Sequence, residues 1–288
     1  MSLPLFVLVL SAGVLHAVWN FSARRISGNL AVFWWSMWVG SLAMVPVIAG
    51  VAVAQGQEGF VRMLRDGYPY ILATGTIHTV YFFMLARAYE HGEISVVYPV
   101  ARGSGIGITA FLGWLLLDEP VTRVGVAGIG LICGGILSMG LGVVRRNPHA
   151  LHGFKSALGV GLTIVGYSVV DKFGVAVVHP TVYITGMFGL TALFLWPTVA
   201  RRFEGRLWET MRTFWPSILL IGLGSVVTYL MILFALTMGP VSYIVALREF
   251  AVVVGACLGV VLLKEPLTPG KIGAILAITA GLVCIKMG

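Results

Sequence analysis

Ten apolar runs of about twenty residues each, separated by short polar turns, leave this chain few folds to adopt. They fall at 3–22, 30–54, 69–89, 94–117, 121–144, 154–173, 181–200, 215–237, 241–263 and 268–286. A helix needs about 20 apolar residues to cross a hydrocarbon core of about 30 Å, so each run reads as one crossing. The runs occupy about three quarters of the 288 residues, which are 58% hydrophobic and 10% charged. Soluble domains carry about 25% charged residues, so the expected class is a multi-pass protein of the cell (inner) membrane, with the lipid bilayer as its solvent. The first run has no basic segment before it and no small-residue cleavage site after it, which marks a retained helix rather than a signal peptide.

The second constraint is an internal repeat. EISVVYPVARGSGIGITAFLGWLLLDEPVTRVGVAGIGLICGGILSMG is echoed by GPVSYIVALREFAVVVGACLGVVLLKEPLTPGKIGAILAITAGLVCIKMG. An offset of 146 superposes Arg102 on Arg248, Gly113 on Gly259, Glu119 on Glu265, Pro120 on Pro266, Thr122 on Thr268 and Gly135 on Gly281. About a quarter of the positions match without a gap, the mark of a duplication. Five crossings per copy is an odd number, so the second copy enters the membrane upside down. The expected fold is all-α, with ten transmembrane helices as two inverted five-helix repeats, 1–146 and 147–288, forming one membrane domain. Secondary transporters are commonly built this way, with the substrate at the midplane between the repeats.

The net charge of +8 and pI near 9.7 do not indicate nucleic acid, because the basic residues sit in turns such as Arg24-Arg25, Arg145-Arg146 and Arg201-Arg202. Counting Lys and Arg on the two faces favours both termini outside. The stretches at 55–68 and 201–213 mix both charge signs and read as the longest solvated loops. Cys133, Cys257 and Cys284 lie in apolar runs as packing residues, without disulfide or metal spacing. No nucleophile elbow, zinc spacing or phosphate-binding loop is present, so no metal, cofactor or catalytic residue is expected and the chain reads as a non-enzyme.

Ionisable side chains at membrane depth cost about 2.5–3.5 kcal/mol each, so each needs a partner, water or a function. Arg102 lies about 12 Å into its helix at 1.5 Å per residue, too deep to snorkel, and Arg248 matches it in the second copy. One or both can hold a substrate carboxylate or phosphonate. Alternatively Arg248 is neutralised by Glu249 or Asp171, and Arg102 by a carbonyl or Glu90. Glu249 is either that counter-ion or a proton carrier. His16 and Asn20, one turn apart beside Trp19, share a face expected to line a cavity. His78 with Tyr81 and Phe82 forms a second polar and aromatic face, and Tyr98 shares the face of Arg102. In the second copy Tyr167 and Asp171 mirror the first-helix pair, with an interfacial salt bridge expected between Asp171 and Lys172. Tyr229 and Thr228 mirror the Tyr81 region and are expected to close the pocket.

Pro99 is expected to break the fourth helix. Gly103/Gly107, Gly130/Gly134 and Gly255/Gly259 have the spacing for tight helix approach. Glu119-Pro120 and Glu265-Pro266 end their helices at the membrane edge and read as structural.

With these residues in view, the chain resembles the EamA family of the drug/metabolite transporter superfamily over nearly its whole length. The tails LLLDEPVTRVGVAGIGLICGGILSMG and LLKEPLTPGKIGAILAITAGLVCIKMG carry the resemblance. It implies a basket-like bundle whose helices one, three, four, six, eight and nine line a central cavity, with five and ten outside. It also implies export of amino acids and other small metabolites, in some members by proton exchange or facilitated diffusion. HAVWN and YPVARGSG look like a branch linked with phosphonates. The expected function is therefore a monomeric or homodimeric exporter of a small zwitterionic or anionic metabolite, an amino acid first, by alternating access. Its substrate contacts would be Arg102, His78, His16, Asn20, Trp19, Tyr81, Tyr98, Tyr229 and Arg248, with Glu249 and Asp171 as coupling or counter-ion groups. The alternatives are transport of aminoalkylphosphonates, or an intramembrane enzyme using His78 and Glu249.

Overall fold

The computed structural model describes residues 1–23, 29–91, 94–146, 154–264 and 266–288, and all of them that lie in regular elements are helical. In chain order the helices are α1 (Leu3–Ala23), α2 (Leu30–Ala43), α3 (Val45–His91), α4 (Ile94–Leu117), α5 (Arg123–Arg146) and α6 (Phe154–Val177). They continue as α7 (Pro180–Arg202), α8 (Leu207–Met238), α9 (Val241–Leu247), α10 (Phe250–Leu263) and α11 (Pro269–Met287). Nine stretches among the described residues are long and apolar enough to cross a membrane. The ten expected runs map onto these nine stretches, because one stretch, Leu30–Leu85, is 56 residues long and takes in both 30–54 and 69–89.

The two solvated loops expected from sequence are largely helix instead. Residues 55–68 belong to α3, which changes direction at Gly56 (φ 70°, ψ 161°), a conformation essentially reserved for glycine. Beyond it, Met63 is buried while Glu58, Arg62, Arg65 and Asp66 stay exposed, so the segment is amphipathic. The Glu58-to-Arg62 spacing adds a favourable i,i+4 pair. The second stretch follows the same plan. Only 203–206 lies between α7 and α8, and α8 kinks at Phe214 (φ −112°, ψ 16°), two residues before Pro216. Mixed charge marked a solvated surface correctly, but a helix with one wet face satisfies its backbone better than a loop does.

The chain forms two compact units, each drawn from both sequence halves. Unit one is 1–17, 80–169 and 238–288; unit two is 18–79 and 170–237. In unit one α5 packs along α11 and α4 along α5. The α5–α11 contact is backbone-close: a methyl on Gly128 would lie 2.7 Å from the Gly281 carbonyl oxygen, and one on Gly135 3.0 Å from that of Ala274. Gly130, Gly134 and Gly255 face open space, so the tight approach expected at Gly130/Gly134 is made by Gly128 and Gly135, one i,i+7 stripe. Gly103 does pack closely, against Leu137. In unit two α2 packs on α7 through Trp34, whose indole donates to the Ala192 carbonyl at 2.8 Å.

The duplication is visible in the backbone. Asp118 (φ 48°) and Lys264 (φ 55°), one repeat offset apart, are the two non-glycine residues with left-handed backbone among those described. Each follows the equivalent helix, α4 or α10.

Candidate functional site

Unit one carries a buried charged centre. α4 brings Arg102 to it, and close packing of α4 on α6 keeps that side chain from water: a methyl on Gly161 would lie 3.0 Å from the Ala101 carbonyl oxygen. Arg248 and Glu249 come from the break between α9 and α10. There Ala251 and Val252 bond back to the carbonyls of Arg248 and Glu249, three residues away, at 3.2 and 2.8 Å, so the helix tightens where its charges lie. By contrast α4 runs through Pro99 without the expected break, since a proline in the second turn removes a single backbone bond.

Arg102 is 8% exposed and Glu249 fully buried. The guanidinium holds the carboxylate at two points, Nε donating to Oε2 at 3.1 Å and a terminal nitrogen to Oε1. Arg248, 6% exposed, sits with Nε 4.0 Å from the same carboxylate and donates to the Tyr167 hydroxyl at 3.4 Å. Thus Glu249, considered as a counter-ion for Arg248, is held chiefly by Arg102. Two buried guanidiniums lie against the same carboxylate. Tyr81 stacks edge-on against Tyr167 with centroids 5.9 Å apart, extending this centre with aromatic surface. His16 is half-buried in α1 and within electrostatic reach of both arginines. Gly13, one turn before it, lets α1 approach the α9–α10 break: a methyl there would be 3.3 Å from the Ala251 nitrogen.

In the same unit Glu119, expected to be structural, has a specific structural role. It folds back to the start of α9, accepting from the backbone nitrogens of Val241 and Ser242, the second at 3.0 Å, and from the Ser242 hydroxyl. Those amides have no partner inside their own helix, so Glu119 caps it, and its negative charge suits the positive end of the dipole. Gly113 leaves the room: a methyl there would be 3.2 Å from the Glu119 carboxyl carbon. The repeated Gly and Glu-Pro were the available signal. Glu265 lies outside the described residues.

Unit two carries a different cluster around Asp171, which is fully buried in α6. Its Oδ1 accepts from the Thr74 hydroxyl at 2.6 Å and the Tyr183 hydroxyl at 2.8 Å, and its Oδ2 accepts from Tyr229. His78 stands one turn after Thr74 on α3, its Nδ1 2.9 Å from the Thr74 carbonyl oxygen and 3.1 Å from the Thr74 hydroxyl. The His78 and Tyr229 rings meet edge to face at 5.8 Å. The interfacial position expected for Asp171 is therefore corrected to a fully buried one, and Lys172 donates to the Leu236 carbonyl at 2.6 Å. Three neutral hydroxyls replace the expected lysine because α6 turns Asp171 towards α3, α7 and α8. Thr74 was legible only through its i,i+4 spacing to His78, and nothing in the sequence singled out Tyr183.

The other expected contacts divide. Trp19 belongs to a hydrophobic cluster with Val32, Ile218 and Ile221. Asn20 is exposed. Thr228 turns its hydroxyl onto the Gly224 carbonyl at 2.6 Å. The side chains of Tyr98 and Glu90 lie outside the described residues. The structure thus gathers Arg102, Arg248, Glu249, Tyr81 and His16 in unit one, and His78, Asp171 and Tyr229 in unit two.

Known proteins agree with this architecture. The model of the EamA-like transporter family matches the chain twice, over residues 3–141 and 152–287. The uncharacterized membrane protein YvaE of Bacillus subtilis is 28% identical over 100 residues, 35% of this chain and 80% of that protein. The nicotine metabolites export pump subunit NepB of Paenarthrobacter nicotinovorans is 27% identical over 111 residues, 38% of this chain and 63% of its own. The spermidine export protein MdtI of Shigella flexneri is 26% identical over 114 residues, 39% of this chain and 99% of its own. One solved crystal structure aligns 99% of this chain with 98% of its own at a TM-score of 0.74 and 18% identity, which marks a common fold.

Proposed function

This chain belongs to the EamA-like transporter family and is a membrane transporter of small molecules, and from that premise we propose that it exports a zwitterionic or anionic metabolite, an amino acid first. The observation that carries this reading is the charged centre of unit one, where two buried arginines share one carboxylate. Guanidiniums take up a substrate carboxylate through charge-assisted hydrogen bonds, and a phosphonate offers them more oxygen acceptors. Arg248 is the better anchor, because Arg102 already holds Glu249 in two-point geometry. Tyr167 and Tyr81 supply aromatic surface beside it, and His16 a polar group.

Alternating access of two inverted repeats, 1–146 and 147–288, is the mechanism that goes with this plan. The α9–α10 break resembles the discontinuous helices that carry transporter sites, where backbone freed from helix hydrogen bonds can follow the substrate.

Counterflow in proteoliposomes tests the reading, with labelled amino acids, aminoalkylphosphonates and spermidine as the panel. Exchange of an amino acid or aminophosphonate, abolished by Arg248→Gln, is the expected result. Spermidine is a polycation and would meet two guanidiniums; its exchange without that of any carboxylate would overturn the proposal. Flux unaffected by Arg102→Ala would remove Arg102 from the site.

A further inference from the structure

The anion centre leaves the Asp171 cluster without a role, and its hydrogen bonds have a defined direction. A carbonyl oxygen carries no hydrogen, so the 2.9 Å contact of His78 Nδ1 with the Thr74 carbonyl requires the proton on Nδ1. An ionised carboxylate only accepts, so Thr74 gives its hydroxyl hydrogen to Asp171 and its oxygen is left to receive from His78, 3.1 Å away. The order is His78 Nδ1–H to Thr74 Oγ1–H to Asp171 Oδ1.

We propose that His78, Thr74 and Asp171 form a proton relay, and that protonation of Asp171 couples substrate movement to a proton gradient. This rests on the reading of the chain as a secondary transporter. In the step, a doubly protonated His78 passes its Nδ1 proton to Thr74 Oγ1 as the Thr74 hydroxyl proton passes to Asp171 Oδ1. One N–H and one O–H bond break and two O–H bonds form. His78 is left neutral with its proton on Nε2, and Asp171 becomes a carboxylic acid.

Glu249, the obvious carboxyl, is the poorer carrier. It is a carboxylate that two guanidiniums share, so neutralising it would weaken the contacts of both. Asp171 is held by hydroxyls without formal charge, and adding a proton there strands no cation among them. The titratable groups facing it are His78 on α3, Tyr183 on α7 and Tyr229 on α8, while Lys172, next to it on α6, bonds the Leu236 carbonyl.

Two measurements on the full chain in proteoliposomes decide this. An infrared pH titration without substrate is expected to give a protonated-carboxyl band that Asp171→Asn removes; the same band in that variant overturns the proposal. In flux assays Thr74→Val and Asp171→Asn are expected to keep substrate counterflow while uptake driven by a pH gradient falls by roughly a hundredfold, the low end for a positioned proton-transfer group. Thr74→Ser, which keeps the hydroxyl, is expected to stay coupled and decides the matter if Asp171→Asn does not fold. Gradient-driven uptake at the wild-type rate in Thr74→Val, or none in a wild type active in counterflow, overturns it. A wild type that exchanges no substrate would instead sink the reading of function, and the infrared titration would still decide the protonation of Asp171.

Discussion

Glu249 holds two arginines in place, and its removal tests how much they depend on it. Glu249→Gln keeps the shape but leaves two buried guanidiniums without their shared carboxylate. Breaking a buried pair by losing one partner costs about 3–5 kcal/mol. Thermal melting in detergent should show Glu249→Gln far less stable than wild type, and Arg248→Gln much less affected, because Arg102 and Glu249 then remain a neutral pair. Equal losses would contradict the geometry. The two arginines and Glu249 were legible as residues, since charge inside an apolar run stands out. Which arginine takes the glutamate was not, because Arg248 is its sequence neighbour while Arg102 reaches it from another helix.

Among elements, the caps are most open to experiment. Glu119→Ala removes the acceptor for two α9 amides and should destabilise by about 1–2 kcal/mol, measured as a lower melting temperature. The α5–α11 contact predicts that Gly281→Leu, which drives a side chain into the Gly128 carbonyl, costs about 1–3 kcal/mol, whereas Gly130→Leu, facing open space, costs little. His179 caps α7, its Nδ1 accepting from the Thr181 nitrogen at 3.4 Å and from the Thr181 hydroxyl at 2.7 Å. Burial lowers its pKa from 6.5, so the folded protein binds that proton less readily than the unfolded chain. The cap's contribution is therefore present above pH 6.5 and is lost as pH falls below it. Hydrogen exchange at the first amides of α7 should quicken on acidification, and His179→Asn should remove that dependence. Periodicity in an apolar run identified the helices. It did not identify which glycines touch, since in a nearly all-apolar helix every face looks alike.

For the whole molecule the testable statement is topological. If each half makes five crossings, as the repeat suggests, Ser2 and Gly288 lie on one side of the membrane and Lys155 on the other. With Cys133, Cys257 and Cys284 replaced by alanine, an impermeant maleimide applied to whole cells should label Ser2→Cys and Gly288→Cys, and Lys155→Cys only after lysis. Labelling of Ser2→Cys and Lys155→Cys from one side would remove the inverted plan.

Composition and spacing alone determined that this chain is helical and membrane-bound, and the repeat alone that it is built twice. Both follow from local or linear properties: every backbone group in lipid must be satisfied within its own segment, and a duplication leaves its residues at a constant offset. Contacts between helices distant in sequence were decided only by the tertiary structure. It gave Glu249 to Arg102, sent Glu119 to α9, and buried Asp171 among Thr74, Tyr183 and Tyr229 instead of leaving it beside Lys172 at an interface. Such pairings depend on how each helix is rotated, and neither hydropathy nor spacing records that angle.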